Sequence, residues 1–383
     1  MTPPAGLLHA VGHPPLAGVL PDVAAALGHP IAGRATASLD LPRAERVVVV
    51  LVDGLGWEAL SARTGHAPTL RGLIRGGTPL AAGYPSTTAA SLASFGTGLT
   101  PGQTGLLGYT VRDPQHTRPT DLVNLVSWTT SAGRPLDPQA WQPHQSVFEH
   151  LTARGVPVTS TGPGRFAGSG LTLAALRGGE FRGSNTPQDR VDAIAGAIPR
   201  GGLGYLYWGE VDKVGHHHGW TSHEWSEALG DVDAAIARLM RRLPSGTLVI
   251  ITADHGMVDV TRTLDVAAIP ALAGSSVVVA GEPRACHVHL REGVDLATAA
   301  ATWREVLGED AWVLTRTDAI EHGLFGVVEE RNRPLIGDLV VAMTGTVALA
   351  DSRTQTAASL ALIGMHGSLT PAEVYVPGIV EVV

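Results

Sequence analysis

The chain has 383 residues and a formal net charge of −8, with 44% hydrophobic and 16% charged residues. At roughly 150 residues per domain, this length fits two or three small domains or one large one. The composition excludes collagen-like, coiled-coil and disordered chains. The negative charge and the lack of a Lys/Arg cluster argue against a nucleic-acid polymer as partner, so an enzyme acting on small molecules fits better.

The cysteine content and the N-terminal composition of this sequence mainly exclude classes of site and of location. Cys286 is the only cysteine, which excludes a disulfide framework and a cysteine-rich zinc site. Any metal must therefore bind histidines and carboxylates. The first basic residue after the N-terminus is Arg34, and no apolar run approaches the ~18 residues of a membrane span. We expect no signal peptide and no membrane partner, and we predict a cytoplasmic location.

Strands and helices alternate along much of the chain. Residues 1–44 are rich in Pro, Gly, Ala and His and predict an irregular N-terminal extension. The apolar, β-branched run 46–56 ends at Asp-Gly and is typical of a strand buried in a parallel sheet. Further strands are predicted at 156–160, 203–212 and 246–256, with helical patterns at 188–198 and 222–242. This alternation predicts an α/β fold with a central, mostly parallel sheet flanked by helices.

The alternation breaks in the last third of the chain. Short strands are predicted around 275–279, 286–290 and 337–343, with a helical pattern at 295–307. We interpret 266–345 as a small inserted α+β cap. The core of the protein would then consist of 45–265 and 346–383.

Polar residues follow two of the predicted core strands. In open α/β sheets, ligands collect beyond the carboxyl ends of the strands, so these residues are the first candidates for a site. Asp53 lies at the carboxyl end of the 46–56 run, although Asp-Gly is also an ordinary turn. Asp254 and His255 lie at the carboxyl end of the 246–256 run and could act as neighbouring ligands on a rigid support. A loop with a capping aspartate would give the same tripeptide.

Two further segments carry histidines. In EVDKVGHHHGW at 210–220, Asp212 and His216 are four residues apart and combine the oxygen and imidazole donors that divalent metals bind. His217 and His218 are equally compatible with a solvated polar loop. His366 lies in a turn next to glycine, where a lone histidine carries no weight by itself.

Two hydroxyls, Thr87 and Thr88, precede a small-residue helical pattern at 89–96. Threonine is a common N-cap, which is the structural interpretation. The same geometry also places a hydroxyl beside unpaired N–H groups, where a phosphate can bind. A hydroxyl nucleophile needs activation, and coordination to a metal supplies it.

Together these segments resemble the alkaline phosphatase superfamily, and most closely its nucleotide pyrophosphatase/phosphodiesterase branch. The resemblance spans about residues 46–260 and the tail near His366. The family's motifs occur in the family's order: Asp53; Pro85-Ser86-Thr87-Thr88 with Thr97-Gly98-Leu99-Thr100-Pro101; Asp212 to Gly219; Asp254-His255-Gly256; and His366-Gly367.

The resemblance implies an alkaline-phosphatase-like catalytic core at 45–265 and 346–383, and two divalent metal ions. Zinc is the expected metal, and manganese or iron would also suit these ligands. Thr88 would act as the nucleophile and contact the second ion, because its ten-residue distance to Gly98 favours it over Thr87. In-line displacement would pass through a phosphothreonine. The implied ligands are Asp212, His216 and His366 for the first ion, and Asp53, Asp254 and His255 with Thr88 for the second.

One departure from the family pattern affects the expected substrate. Tyr109 occupies the place of the family's phosphate-binding asparagine, so a phenol would donate to a phosphate oxygen. The leading hypothesis is a metal-dependent phosphodiesterase or nucleotide pyrophosphatase acting on a small phosphate ester or nucleotide. A phosphomonoesterase or phosphonate hydrolase on the same scaffold is the second hypothesis. The third is a non-catalytic binding protein that metal stabilises. The sequence leaves the oligomeric state open.

Overall fold

The computed structural model describes residues 3, 13–115 and 117–383. Within these residues the strands are β1 (Arg46–Val52), β2 (Thr78–Ala81), β3 (Thr110–Arg112), β4 (Leu122–Asn124), β5 (Thr129–Thr130), β6 (Val158–Gly162), β7 (Glu180–Gly183), β8 (Gly202–Trp208), β9 (Leu248–Thr252), β10 (Val258–Asp259), β11 (Arg262–Asp265), β12 (Ser276–Glu282), β13 (Ala285–Leu290), β14 (Ala311–Thr315), β15 (Leu339–Met343), β16 (Val347–Ala350), β17 (Gly364–Met365) and β18 (Tyr375–Val382).

Helices surround and connect these strands. In the described part of the chain they are α1 (Val19–Ala26), α2 (Trp57–Ala62), α3 (Pro68–Leu73), α4 (Thr88–Thr97), α5 (Pro101–Thr104), α6 (Pro138–Trp141), α7 (Val147–Thr152), α8 (Gly170–Ala175), α9 (Pro187–Ala197), α10 (Glu210–His218), α11 (His223–Arg242), α12 (Pro270–Ser275), α13 (Leu296–Leu307), α14 (Arg316–Glu321), α15 (Ala357–Leu360) and α16 (Pro371–Val374). None of them has the length and apolar character needed to cross a bilayer. The cytoplasmic location stays a prediction.

The central sheet has seven strands in the order β2-β18-β9-β1-β8-β6-β7. The neighbours from β9 to β7 pair in parallel, and β18 runs antiparallel to β9 and β2. Six of the seven residues of β1 are buried, because helices cover both faces of a parallel sheet. The predicted α/β fold with a central, mostly parallel sheet is confirmed.

Helix α11 shows how the sequence fixes the flanking helices. The Ser222 hydroxyl accepts a hydrogen bond from the Trp225 N–H, so the helix begins with a satisfied cap. Arg241 and Arg242 lie in the last turn, where positive charge complements the helix dipole. The buried side chains recur every three or four residues and face the core: Trp225, Leu229, Val232, Ile236 and Leu239.

A second, four-stranded antiparallel sheet lies within 266–345, in the order β12-β13-β15-β14. It packs with α13 around a separate hydrophobic cluster that includes Trp303. Strands β11 and β16 flank this segment in the chain and pair in parallel. The division into core and cap stays our interpretation. Strand β14 was not predicted.

The N-terminal prediction is wrong for Val19–Ala26, which form α1 instead of irregular chain. Leu16, Val19, Leu20 and Val23 are completely buried. Their i, i+3, i+4, i+7 spacing is that of an amphipathic helix, which the surrounding Gly and Pro residues obscured. The part of the predicted extension that falls on residues 1, 2 and 4–12 lies outside the described residues.

Candidate metal and phosphate site

The carboxyl ends of three neighbouring strands define the site. Asp53 directly follows β1, and Asp254 follows β9 after one further residue. Strand β8, on the other side of β1, leads into α10 and Asp212. Gly54 has a φ of +71°, and a Cβ on it would lie 2.9 Å from the Asp212 Cα. Only glycine therefore allows α10 to approach β1 this closely.

The predicted strand 203–212 is shorter than expected, because β8 ends at Trp208 and α10 starts at Glu210. Gly209 at the N-cap interrupts the apolar run, and Glu210 and Asp212 in the first turn favour a helix N-terminus. As a result Asp212 and His216 lie one helical turn apart. His217 and His218 are exposed, as expected for solvated residues.

The first predicted ligand set is brought together. The His216 Nε2 lies 3.4 Å from the Asp212 Oδ2, and the His366 Nε2 lies 4.0 Å from the Asp212 Oδ1. One donor atom from each of these three residues falls within 4.8 Å of the others. This spacing suits a common cation bound between them.

The second predicted set is brought together with one difference. The His255 Nε2 lies 3.3 Å from the Asp53 Oδ1, and Asp212 completes a group within 4.8 Å. The predicted set contained Asp254, whose Oδ2 is 3.8 Å from the His255 Nε2. Asp254 therefore borders this group, and Asp212 faces both groups.

The three imidazoles of the site each turn the same ring nitrogen, Nδ1, towards the backbone. Each Nδ1 lies against a backbone carbonyl, which can only accept, so each Nδ1 donates and each Nε2 is left to face the carboxylates of the site. This is the orientation of a metal-binding histidine. The pairs are His216 with the Gly364 oxygen at 2.7 Å, His255 with the Gly256 oxygen at 3.0 Å and His366 with the Ser86 oxygen at 3.0 Å.

Three carboxylate oxygens of the site are buried without a hydrogen-bond partner. The Asp53 Oδ1, the Asp212 Oδ1 and the Asp254 Oδ2 are buried and have no hydrogen-bond partner. Burial raises the pKa of Asp53 and Asp254, and the charges of Asp254 and Asp212 raise that of Asp53 further. Unpaired buried carboxylates are costly, and divalent cations would satisfy them. The residues present therefore fit a metal site.

The two adjacent threonines differ in access. Thr87 is the N-cap of α4, yet its side chain makes no capping hydrogen bond and is completely buried. Thr88 begins α4 and is half-buried, and its Oγ1 lies 3.1 Å from the His255 Nε2. The two atoms are within hydrogen-bond distance of each other. Thr88 is the hydroxyl that a ligand at the site can reach.

Two cavities open beside Thr88. One, of about 530 Å³, lies between the site and the four-stranded sheet, and Tyr109 and His366 are among its lining residues. The other, of about 380 Å³, has Phe166, Tyr205 and Tyr207 in its wall. Tyr109 is 46% exposed, so its phenol is available to a ligand in the larger cavity.

Two residues at the site were missed by sequence reasoning. The Tyr207 hydroxyl donates to the Asp53 Oδ2 from the neighbouring strand. Glu282, at the end of β12, places its Oε2 3.7 Å from the His366 Nδ1. Burial raises the pKa of Glu282 well above its usual range, and the charge of Asp212 adds to this. Tyr207 could have been found from its place near a strand end, but no local signal marks Glu282.

Replacing Tyr207 by phenylalanine is expected to weaken metal binding by about 10- to 100-fold, because the phenol fixes the orientation of the Asp53 carboxylate. Competition with a fluorescent chelator would measure the change. Tyr205→Phe is the matched control, since the buried Tyr205 hydroxyl has no hydrogen-bond partner. Equal metal affinities for the two variants would contradict the role given to Tyr207.

Comparison with known proteins places this geometry in a family. The family model for type I phosphodiesterase/nucleotide pyrophosphatase matches residues 47–369. The fold is similar to murine ectonucleotide pyrophosphatase/phosphodiesterase 5, with a TM-score of 0.67 and 16% identity over 87% of this chain and 88% of that one. An inactive threonine-to-alanine variant of the murine protein, in complex with AMP, gives a TM-score of 0.66 with the same identity and coverage.

Phosphonoacetate hydrolase from Sinorhizobium meliloti 1021, in complex with phosphonoacetate, is similar to the same extent. Its TM-score is 0.66, with 18% identity over 88% of this chain and 90% of that one. The family match covers most of the chain, and the described fold carries the family's motif residues to one place. The chain therefore belongs to the type I phosphodiesterase/nucleotide pyrophosphatase family of the alkaline phosphatase superfamily, and is a phosphoryl hydrolase.

Proposed function

We propose that the protein is a two-metal phosphodiesterase in which Thr88 attacks the phosphorus atom. The observation that carries this proposal is the Thr88 hydroxyl, 3.1 Å from the His255 Nε2 at the open side of the His/Asp clusters. The inactivity of the murine threonine-to-alanine variant, solved with AMP, supports a threonine nucleophile and a nucleotide-like substrate.

We propose that each of the two ligand sets holds one cation. The first cation would be held by Asp212, His216 and His366, and the second by Asp53, Asp254 and His255 with Thr88 beside it. Bound cations would lower the pKa of the attacking hydroxyl and neutralise charge on the phosphate oxygens. The mixed imidazole and carboxylate donors favour zinc, and manganese or iron also suit them.

Thr88 performs the covalent step. Its oxygen forms a bond to phosphorus while the ester bond to the departing alcohol breaks, and the proton lost from the hydroxyl ends on that alcohol or in solvent. Water then attacks the phosphothreonine, which releases a phosphate monoester and restores the hydroxyl. The N-terminus of α4 has no side-chain cap, so its first N–H groups and positive dipole would be available to the phosphate. Tyr109 would donate its phenol to a phosphate oxygen.

The residues lining the two cavities favour particular classes of substrate. The aromatic wall of the 380 Å³ cavity is suited to stack a planar group such as a nucleobase, which favours a nucleotide-like diester. Hydrolysis of a phosphonate or monoester is the second candidate, because Tyr109 replaces the family's asparagine and phosphonoacetate hydrolase is a structural neighbour. A substrate with a second acidic group would need a cationic partner, and no Lys or Arg is among the described residues lining the 530 Å³ cavity.

We expect the metal-loaded protein to contain about two divalent ions per chain and to cleave bis(4-nitrophenyl) phosphate faster than 4-nitrophenyl phosphate. Elemental analysis and absorbance of released 4-nitrophenol measure both. Chelation should abolish turnover, and added zinc or manganese should restore it. Faster cleavage of the monoester would favour the second candidate. A protein that unfolds on chelation but cleaves no ester would be a metal-stabilised binding protein.

A further inference from the structure

The described residues that line the two cavities differ in their basic side chains. Of these residues, no Lys or Arg lines the 530 Å³ cavity. The 380 Å³ cavity has Arg165 among its lining residues, together with Thr88 and the aromatic wall, and no Asp or Glu. Because arginine stays charged at every working pH, the smaller cavity carries a permanent positive charge that the described lining of the larger one lacks.

Arg165 lies at the edge of the central sheet where the candidate site is found. Strand β6 ends at Gly162 and pairs in parallel with β8, so the two strands have their carboxyl ends at the same edge. Arg165 follows in a short 3-10 turn, Gly164–Phe166. The turn packs closely against β7, since a Cβ on Gly183 would lie 2.8 Å from the Gly164 Cα. The backbone that carries Arg165 is therefore fixed by the sheet.

A row of contacts connects Arg165 to the candidate metal site. The Arg165 Cζ lies 4.7 Å from the centre of the Phe166 ring, a cation–π contact. The Phe166 ring meets the Tyr207 ring edge-on, with the ring centres 5.7 Å apart. The Tyr207 hydroxyl in turn donates to the Asp53 Oδ2. Two ring contacts thus separate the guanidinium from a carboxylate of the site, which brings it within reach of a ligand bound there.

The guanidinium of Arg165 makes neither a hydrogen bond nor an ion pair with any of the described residues. Arg353, by contrast, has its Nε 2.7 Å from the Oδ1 of Asp351. A guanidinium presents five N–H donors in a planar fork, which can bind two oxygens of a phosphate at once. The donors of Arg165 are therefore available to an anionic group in the 380 Å³ cavity.

We propose that Arg165 binds a second phosphate group of the substrate, one that does not react. This inference rests on the proposed phosphodiesterase function and specifies its substrate class. In a nucleotide-like diester, the reacting phosphate lies at Thr88 and the base lies against the aromatic wall, so the sugar hydroxyls remain to carry a further anion. The preferred substrates are diesters of a nucleotide whose sugar bears an additional phosphate.

The test compares two ligands that differ only in that phosphate, thymidine 5′-phosphate and thymidine 3′,5′-bisphosphate. Calorimetry on metal-loaded Thr88→Ala protein at pH 8 measures both affinities without turnover. At this pH the added phosphate carries nearly two negative charges. We expect the bisphosphate to bind about tenfold tighter than the monophosphate, because it gains a charge-assisted contact to the guanidinium. Adding Arg165→Gln should bring the ratio of the two affinities close to one.

Two further variants separate charge from shape. Arg165→Glu reverses the charge and should make the bisphosphate bind more weakly than the monophosphate. Arg71→Gln removes an exposed arginine from α3 that lines neither cavity, and should leave the ratio unchanged. Arg165 is itself exposed, so its replacement should not disturb the fold. A ratio near one before Arg165 is changed, a ratio that Arg165→Gln leaves intact, or equal weakening of both ligands would overturn the proposal.

A turnover assay separates this proposal from the proposed function. Wild type should cleave the 4-nitrophenyl ester of thymidine 5′-phosphate with a kcat/KM about tenfold higher when the sugar carries a 3′-phosphate, and Arg165→Gln should remove that difference. Cleavage of both esters with equal kcat/KM would support the phosphodiesterase and overturn the role of Arg165. If neither ester is cleaved, the proposed function fails, and the calorimetric ratio still tests Arg165.

Discussion

Replacing Thr88 by alanine is expected to lower kcat for diester hydrolysis by at least about 10³-fold, because the covalent step loses its nucleophile. The metal content should stay near that of the wild type, since the histidine and carboxylate donors remain. Stopped assays with bis(4-nitrophenyl) phosphate and elemental analysis on the same samples measure both effects. Loss of activity together with loss of metal would instead assign Thr88 a structural role.

The neighbouring threonine provides the matched control. Thr87→Val removes a buried hydroxyl that makes no capping bond, so turnover should stay within about threefold of wild type. Thr88→Ser keeps a hydroxyl at the same place and should retain measurable activity. A Thr87→Val protein as inactive as Thr88→Ala would move the nucleophile to Thr87.

Asp53→Asn is expected to act in opposite directions on activity and on stability. In the metal-loaded protein it removes a ligand, so turnover should fall by about 10²-fold or more, and bound metal should fall to about one ion per chain. In the metal-free protein it removes one of several buried carboxylates that repel each other. The melting temperature after chelation should therefore rise by a few degrees.

The direction of this effect follows from the pKa of Asp53, which burial and the charges of Asp254 and Asp212 raise in the folded state. An acid with a raised folded pKa stabilises the fold below its unfolded pKa of about 3.9, and that contribution is lost as the pH rises through the folded pKa. Asparagine does not ionise, so its advantage should be small at pH 5 and larger at pH 8.

Differential scanning fluorimetry of chelated wild type and Asp53→Asn at both pH values measures this difference. Asp231→Asn, which removes an exposed charge from α11, is the control and should leave the melting temperature unchanged. A metal-free Asp53→Asn protein that is less stable than wild type at pH 8 would show that the carboxylates do not repel each other as proposed.

The parts of the site that the sequence could predict all follow from local chemistry. Asp53 and Asp254 follow continuous apolar runs, and a parallel sheet brings such strand ends together whatever the rest of the chain does. Asp212 and His216 were recognisable from their spacing, although the strand was extended too far because Gly209 gave no sufficient stop signal.

The parts that could not be predicted depend on long-range packing. Glu282 reaches the site because the β12–β13 hairpin is fixed by Arg284 to Glu373, 89 residues further along the chain. Asp212 belongs to the second donor group only because α10 approaches β1 so closely. Helix α1 was missed because its apolar spacing is interrupted by Pro21, which a first helical turn tolerates.

The close contact at Gly54 has a counterpart further along α10. A Cβ on Gly364 would lie 2.4 Å from the carbonyl oxygen of Gly215, so backbone meets backbone on this side as well. Asp212 and His216 both lie on α10, which packs against Gly54 and Gly364, and Asp212 belongs to both donor groups. A displacement of α10 would therefore change the positions of donors in both groups. A larger side chain at either glycine should impair both groups together.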